Sequence, residues 1–346
     1  MRQVKIVLLM VVAMMVVGCA GGSRGGETSA KEKFPRQLPR HGTEIMVAGQ
    51  LFDIGTPVVL WTDPGGYDAY RTELRFTPWR EASGGATTRP APTPPDPLPP
   101  SPKPYGPPAG VLTDEQIEQV KGGGWPLELL RQKVDQFVIH YDVCGTSRRC
   151  FFVLHDLRGL SVHFMLDIDG TIYQTMDLKE RAWHAGAANT RSVGIEIANM
   201  GAYSTRASLA PLAEWYAKDA NGQTYITIPE RLGDGGVRVP GTYRPARNDL
   251  IEGQIHGTTY RQYDLTPQQY QALIKLTAAL TSIFPNMKLD YPRREDGKVL
   301  DRALTREELD AWQGLIAHWH VTRDKQDPGP AFQWEYVVEE ARKLLK

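Results

Sequence analysis

A chain of 346 residues with 40 basic and 40 acidic side chains has no formal net charge, which argues against nucleic acid or an anionic bilayer as its main partner, since both select basic surfaces. Its length allows one large domain or two ordinary ones, with a sizeable core and no obligatory staples. Glycine (33) and proline (26) exceed average usage, but the excess is local and marks linkers, which excludes a fibrous or wholly disordered chain.

A short basic head, Met1 to Lys5, precedes an apolar run from Ile6 to Val17 that is too short for a permanent membrane span. This is the pattern of a secretory signal. It ends Val16-Val17-Gly18-Cys19, which resembles the bacterial lipobox, so that residues 1–18 are expected to be a lipoprotein signal peptide and Cys19 the lipidated mature N-terminus that anchors the chain to a membrane. Ala20, where Asp is absent, resembles sorting to the outer membrane, facing the periplasm. Residues 19–39 are rich in Gly, Ser and charge and read as a flexible tether. The β-favouring runs 44–52 and 57–61 follow, separated by Asp53, Gly55 and Thr56, and make 40–87 a small β-rich arm on the main domain or an accessory unit. Residues 88–112 form a proline-rich linker, expected to carry neither sheet nor helix.

The main domain, 113–346, opens with the capping-box spacing Thr113-Asp114-Glu115-Gln116. A strand at 136–140 ends on His140. In an oxidising compartment Cys144 and Cys150 are expected to form a disulfide, a nucleophilic Cys being the alternative. Residues 151–154 are strand-like or open a short helix, and 161–167 are strand-like. The stretch Asp167-Ile168-Asp169-Gly170 signals a hairpin leading into a strand through Gln174. In Ser192–Ala198, alternation sets Val193, Ile195 and Ile197 against Gly194, Glu196 and Ala198, so Glu196 projects from mid-sheet. Residues 203–263 are irregular apart from a short strand-like run over 223–228, and read as an insertion, expected to act as a lid or groove wall. Helical periodicity runs from Thr266-Pro267 to Phe284, Thr305 caps another helix, 315–317 are strand-like, and 334–345 close as an amphipathic helix. Strands interspersed with helices argue for an α/β domain.

His318-Trp319-His320 through Lys325, Asp327 and Pro330 crowds two imidazoles, a lysine and a carboxylate together, a pattern for metal or acid/base chemistry, or for an ordinary solvated loop. There is no Gly-x-Ser-x-Gly, no HExxH and no phosphate-cradling Gly loop, which removes the common serine-hydrolase, zincin and nucleotide readings.

The order Phe137–His140, Ser161–Phe164, Asp169-Gly170, Ala182-Trp183-His184-Ala185-Gly186, Ser192–Glu196 and Lys325–Gly329 resembles the zinc-dependent N-acetylmuramoyl-L-alanine amidases, in the type 2 amidase superfamily that also contains the peptidoglycan recognition proteins. The resemblance spans about 136 to 334, interrupted by the insertion. It implies a single mixed central sheet flanked by helices, with a long insertion, and one Zn2+ held by His140, a histidine near 318 and Asp327. Such a ligand set leaves a fourth position for water, as catalytic sites require. Strand alignment favours His318, although His320 would share its face if the strand continued. By the same resemblance Glu196 is the catalytic proton carrier, Lys325 neutralises the oxyanion, and His184 with Trp183 contacts substrate. His163 receives no role. The implied activity is hydrolysis of the amide between N-acetylmuramic acid and L-alanine in peptidoglycan or muropeptides, with no nucleic-acid partner. Two rivals remain open: a non-catalytic peptidoglycan-binding lipoprotein, and a cell-wall cysteine peptidase using Cys144 or Cys150.

Overall fold

The computed structural model describes residues 40–70, 103–104 and 113–346. The expected signal peptide, Cys19, the tether, residues 71–87 and nearly all of the proline-rich linker lie outside the described residues.

The chain opens with strands β1 (Glu44–Val47), β2 (Gln50–Asp53) and β3 (Val58–Leu60). The β-favouring run over 44–52 is a hairpin, because Ala48 and Gly49 both take positive φ, 51° and 74°, the turn geometry that a two-residue hairpin needs. Next comes β4 (Lys103–Pro104), paired antiparallel with β8 (Glu180–Arg181). The linker therefore does contribute a short piece of sheet. Proline is tolerated in a sheet at an edge, where its missing N–H is not required.

Helices α1 (Asp114–Gly123) and α2 (Leu127–Lys133) lead into β5 (Gln136–Tyr141). Thr113 caps α1 with the reciprocal Gln116 bond that its spacing implies. Helix α3 (Ser147–Phe151), capped by Thr146, continues as a π-helical turn over Phe152–Leu157, so the helical alternative holds at 151–154. Then follow β6 (Phe164–Leu166), β7 (Ile172–Gln174), β8 and β9 (Ser192–Ile197). The β6–β7 hairpin turns at Gly170 with φ 85°; a Cβ there would meet the Gln268 carbonyl oxygen at 2.8 Å, so both turn and packing require glycine.

The insertion is ordered into β10 (Tyr203–Ser204), α4 (Ala210–Trp215), β11 (Tyr216–Lys218), β12 (Thr224–Ile226), β13 (Ile251–Ile255) and β14 (Thr258–Gln262). These form a three-stranded sheet, β10-β14-β13, and the β11–β12 pair. The chain closes with α5 (Pro267–Ile283), α6 (Arg306–Ala311), β15 (Gly314–Ala317), α7 (His318–Val321) and α8 (Trp334–Leu344).

The central sheet has the order β15-β5-β9-β6-β7-β3 and is parallel except between β6 and β7. One face of β5 and β9, through Phe137, Ile139, Val193, Ile195 and Ile197, joins Leu273, Leu276 and Leu280 of α5 and Val337 and Val338 of α8 in the main core. The other face carries Val138, His140, Gly194 and Glu196, with Val138 packing on Ile316 and on Leu309 of α6. Strict alternation is what separates apolar core from chemistry.

The N-terminal arm belongs to this sheet. β3 supplies an edge strand parallel to β7, Ile45 and Val47 enter the main core, and the Gln174 side chain bonds both N–H and carbonyl of Met46. The Asp177 carboxylate accepts from Ala48 and Gly49 N–H at 2.7 Å each. Leu60 is fully buried, so Leu60→Ala should cost about 2–5 kcal/mol of unfolding free energy. Urea denaturation measures it, and an unchanged midpoint would show that the edge strand contributes nothing.

Candidate metal centre and catalytic cleft

Parallel register sets His140 of β5 opposite Glu196 of β9, both at the C-terminal end of the sheet, and β15 runs alongside as far as Ala317. There the strand stops. The His320 ring turns back so that its Nδ1 accepts the Ala317 N–H at 3.0 Å, and its Nε2 donates to the Leu300 carbonyl at 2.7 Å. Chain direction changes into α7, and the two histidines no longer share a face. His320 is fully buried with both ring nitrogens satisfied, and burial pushes its pKa down to about 3. It is a core residue, and the imidazole that stands beside His140 and Asp327 is His318.

The Trp319 N–H of α7 donates to the Asp327 carbonyl oxygen at 3.3 Å, drawing the following loop back beside His318. His140 Nδ1, His318 Nδ1 and Asp327 Oδ2 then form a triangle with edges of 3.0, 2.8 and 2.9 Å. Among the described residues this is the one group of three or more His, Cys, Asp or Glu side chains converging in this way. Zinc with N and O ligands at about 2.0–2.2 Å in a tetrahedron needs donor atoms roughly 3.3–3.6 Å apart, so the triangle fits that ion once its three donors move apart by about half an ångström. Two imidazoles and one carboxylate are also the donor types of a catalytic zinc site. Burial, with His318 alongside, holds the His140 pKa down at about 4, leaving it neutral and able to ligate. Burial pushes the Asp327 carboxyl up, but the His318 charge and the hydrogen bonds with His140 and His318 overcome this and hold it below the usual carboxylate range.

The far nitrogen of His140 is also engaged. Its Nε2 lies 2.9 Å from His184 Nδ1, and His184 Nε2 lies 3.3 Å from Ser192 Oγ. With His140 Nδ1 given over to the triangle, Nε2 carries the proton and donates to His184, whose own Nε2–H points to the serine hydroxyl. This tautomer chain orients a ligand ring and raises its basicity. His184 thus lines the cleft, where substrate contact is expected of it, and also holds the His140 ring in place. Room for its ring comes from Gly194, where a Cβ would lie 2.5 Å from the imidazole. The Asn189 side chain accepts the His184 and Ala185 N–H groups at 3.1 and 2.7 Å and fixes the turn that presents the ring. Spacing alone carried no sign of this link. His163 is core, accepting the Gly194 N–H and donating to the Glu180 carbonyl.

One cleft is lined by His140, Glu196, His318, Asp327, Lys325 and Arg158. Glu196 is nine-tenths buried there and its Oε2 has no hydrogen-bond partner. Burial, then the negative charges of Asp327 and Asp142, push its pKa well above the usual range. A dication in the triangle would reverse that local field and favour the carboxylate. An adjoining hollow is lined by Leu160, His184 and the partly exposed Trp183, whose ring lies 4.9 Å from the Arg181 guanidinium.

Cys144 and Cys150 also line the cleft, but as buried free thiols and not as the expected disulfide. The intervening residues start helix α3, with the Cys150 N–H donating to the Thr146 carbonyl oxygen at 3.0 Å, and this sets the two thiols in hydrogen-bond contact. That contact, with burial, pushes the Cys150 thiol well up, the reverse of what a nucleophile requires.

A family model described as N-acetylmuramoyl-L-alanine amidase matches residues 130–330. Among solved structures, the chain is similar to AmiD from E. coli in complex with anhydro-N-acetylmuramic acid-L-Ala-D-gamma-Glu-L-Lys (20% identity, 60% of this chain and 57% of that chain, TM-score 0.33). It is also similar to AmpD (17%, 61% and 86%, 0.29) and to the N-acetylmuramoyl-L-alanine amidase LysC from Clostridium intestinale (18%, 62% and 88%, 0.32). The chain thus spans less than two thirds of the AmiD chain. No curated protein matches it.

Two outcomes are expected of the site itself. His318→Ala should abolish zinc retention measured by elemental analysis, whereas His320→Gln should lower thermal stability and keep the metal; the reverse pattern would exchange their roles. In metal-free protein, Glu196 has a folded-state pKa raised above the unfolded value, so its contribution to stability is complete below about pH 4.5 and declines as pH rises. Glu196→Gln removes that decline. Its stability advantage over wild type should grow with pH by up to about 1.4 kcal/mol per unit, as followed by urea titrations between pH 4 and 8.

Proposed function

The chain belongs to the N-acetylmuramoyl-L-alanine amidase family, and on that premise we propose that it is a zinc-dependent hydrolase of the amide between N-acetylmuramic acid and L-alanine in peptidoglycan or its muropeptides. The observation that carries this reading is the convergence of His140, His318 and Asp327 in the cleft that also holds Glu196 and Lys325. The same proposal makes the protein an exported lipoprotein, anchored through Cys19 and facing the periplasm from the outer membrane.

His140, His318 and Asp327 would hold the ion, which when bound supplies Lewis acidity that makes water nucleophilic near neutral pH and polarises the scissile carbonyl. Glu196 takes the proton of the attacking water and hands it to the departing amide nitrogen, which could not otherwise leave as an anion. Because its Oε2 has no protein partner, that proton has no competing acceptor to satisfy. Lys325 offsets the charge that grows on the carbonyl oxygen. Arg158 adds positive charge to the same cleft, suited to carboxylates on a stem peptide. His184 keeps His140 in the ligating tautomer, and Trp183 offers an apolar surface beside it for the sugar.

The pure-binder rival has no use for a buried Glu and a Lys beside a metal triangle. The cysteine-peptidase rival requires an activated thiol, and Cys150 is deactivated by its surroundings.

Purified sacculi digested with wild type should yield stem peptides freed from muramic acid, identified by mass. A chelator should stop the release. Glu196→Gln should lower kcat by about 10²–10⁴, and Lys325→Met by about 10²–10³ with little change in KM. Absence of that cleavage by zinc-loaded wild type would defeat the proposal.

A further inference from the structure

We propose that the insertion over 203–263 is the scaffold of the metal-ligand loop, with Gln262 as its positioning residue. This rests on the zinc reading of the triangle above. The insertion reads from sequence as a lid or groove wall, yet none of its residues is among those lining the catalytic cleft. Besides contacts to helix α3, the β6–β7 turn and Asp301, it holds the segment just after Asp327.

Gln262, the last residue of β14, is fully buried. Its Nε2 donates to the Pro328 carbonyl oxygen at 2.9 Å and to Asn199 Oδ1 at 3.1 Å, and its Oε1 accepts the Ala331 N–H at 3.1 Å. The amide orientation is unambiguous, because a carbonyl can only accept and a backbone N–H can only donate. One carboxamide thereby closes the loop across 328–331 and ties it to Asn199, three residues beyond Glu196 and just past the end of β9. The Asn199 side chain in turn donates to the Tyr263 carbonyl at 3.1 Å. The link joins the carboxylate-bearing strand to the ligand-bearing loop, which have no strand pairing of their own.

The surroundings are built to this contact. Gly329 has φ 85°, and a Cβ there would lie 2.1 Å from Gln262 Oε1. A Cβ on Gly253 of β13 would lie 2.6 Å from Pro330 Cβ. Arg247 donates to the Ala331 carbonyl oxygen and, through Nε, to Asp264 at 2.6 Å. Asp264 also receives the Tyr270 hydroxyl at 2.6 Å and the Gln333 side chain at 2.9 Å. On the ligand-bearing loop, the grips from the insertion fall on residues 328–331. Supports of this kind hold a ligand within the few tenths of an ångström that a metal demands.

The test uses the full chain and zinc itself, with affinity read by competition against a chromogenic chelator and metal-free stability read by urea denaturation. Gln262→Met keeps the side chain's bulk and removes all three bonds, and Arg247→Met removes a second, half-exposed support. Both should weaken zinc binding by about 10–100-fold while the metal-free proteins remain folded. A lid would instead leave zinc affinity at the wild-type value and change KM or the product pattern. Wild-type zinc affinity in folded Gln262→Met overturns the proposal; should that variant not fold, wild-type affinity in Arg247→Met overturns it equally. Failure of wild type itself to bind zinc would remove the metal reading, a result distinct from tight binding that the variants leave unaltered.

Discussion

The parallel pairing of β5 with β9 on one side and β15 on the other brings three strand ends to one margin of the sheet, and every group with chemistry depends on it. Parallel strands deliver their C-terminal residues to a common edge, where open sheets place their ligands. His140, Glu196 and His318 arrive there from positions 56 and 178 residues distant from the first. A slip of one residue in β9 would bury Glu196 among the leucines of α5 and turn Ile195 or Ile197 toward the triangle. The hydrophobic alternation that builds the core is therefore also what aims the acid.

That margin gathers charge in a dry place. Glu196 and Asp327 are buried and Asp142 is partly buried, and each meets the difficulty differently. Asp142 accepts the N–H groups of Cys144, Gly145 and Asn199 at 2.9, 3.0 and 3.1 Å and serves as a turn-holder, with burial pushing its pKa up to about 7. Asp327 leans on two imidazoles. Glu196 has neither solution, and an unsatisfied buried carboxylate is costly unless a cation or a proton accompanies it. The site is thus incomplete on its own terms, which is the ordinary condition of a place where something else binds.

Much of this was legible in the residues, and the rest failed for identifiable reasons. The capping box at Thr113, the helix caps at Thr266 and Thr305, the Asp169-Gly170 turn and the alternation in β9 are local signals, and the structure follows them. The choice between His318 and His320 was not local: it turned on the chain leaving the strand at Ala317, a bend held by a side-chain bond from within the ambiguous stretch itself. The bond from His140 to His184 joins positions 44 apart, and no periodicity reports such a contact. Sequence reading also underrated the arm and the insertion, since edge pairing of Val58–Leu60 and the five short strands over 203–262 are made by partners far along the chain, where local propensity is a weak guide.

Gly194 carries a consequence beyond its own position. It lies mid-strand, where glycine is ordinarily a weakness, and the space left by its missing side chain is occupied by the His184 imidazole. Positions 184 and 194 are therefore one heritable character written at two places. A side chain at 194 requires the imidazole at 184 to shift or be lost, and loss of the imidazole leaves a hollow that a larger residue at 194 can fill.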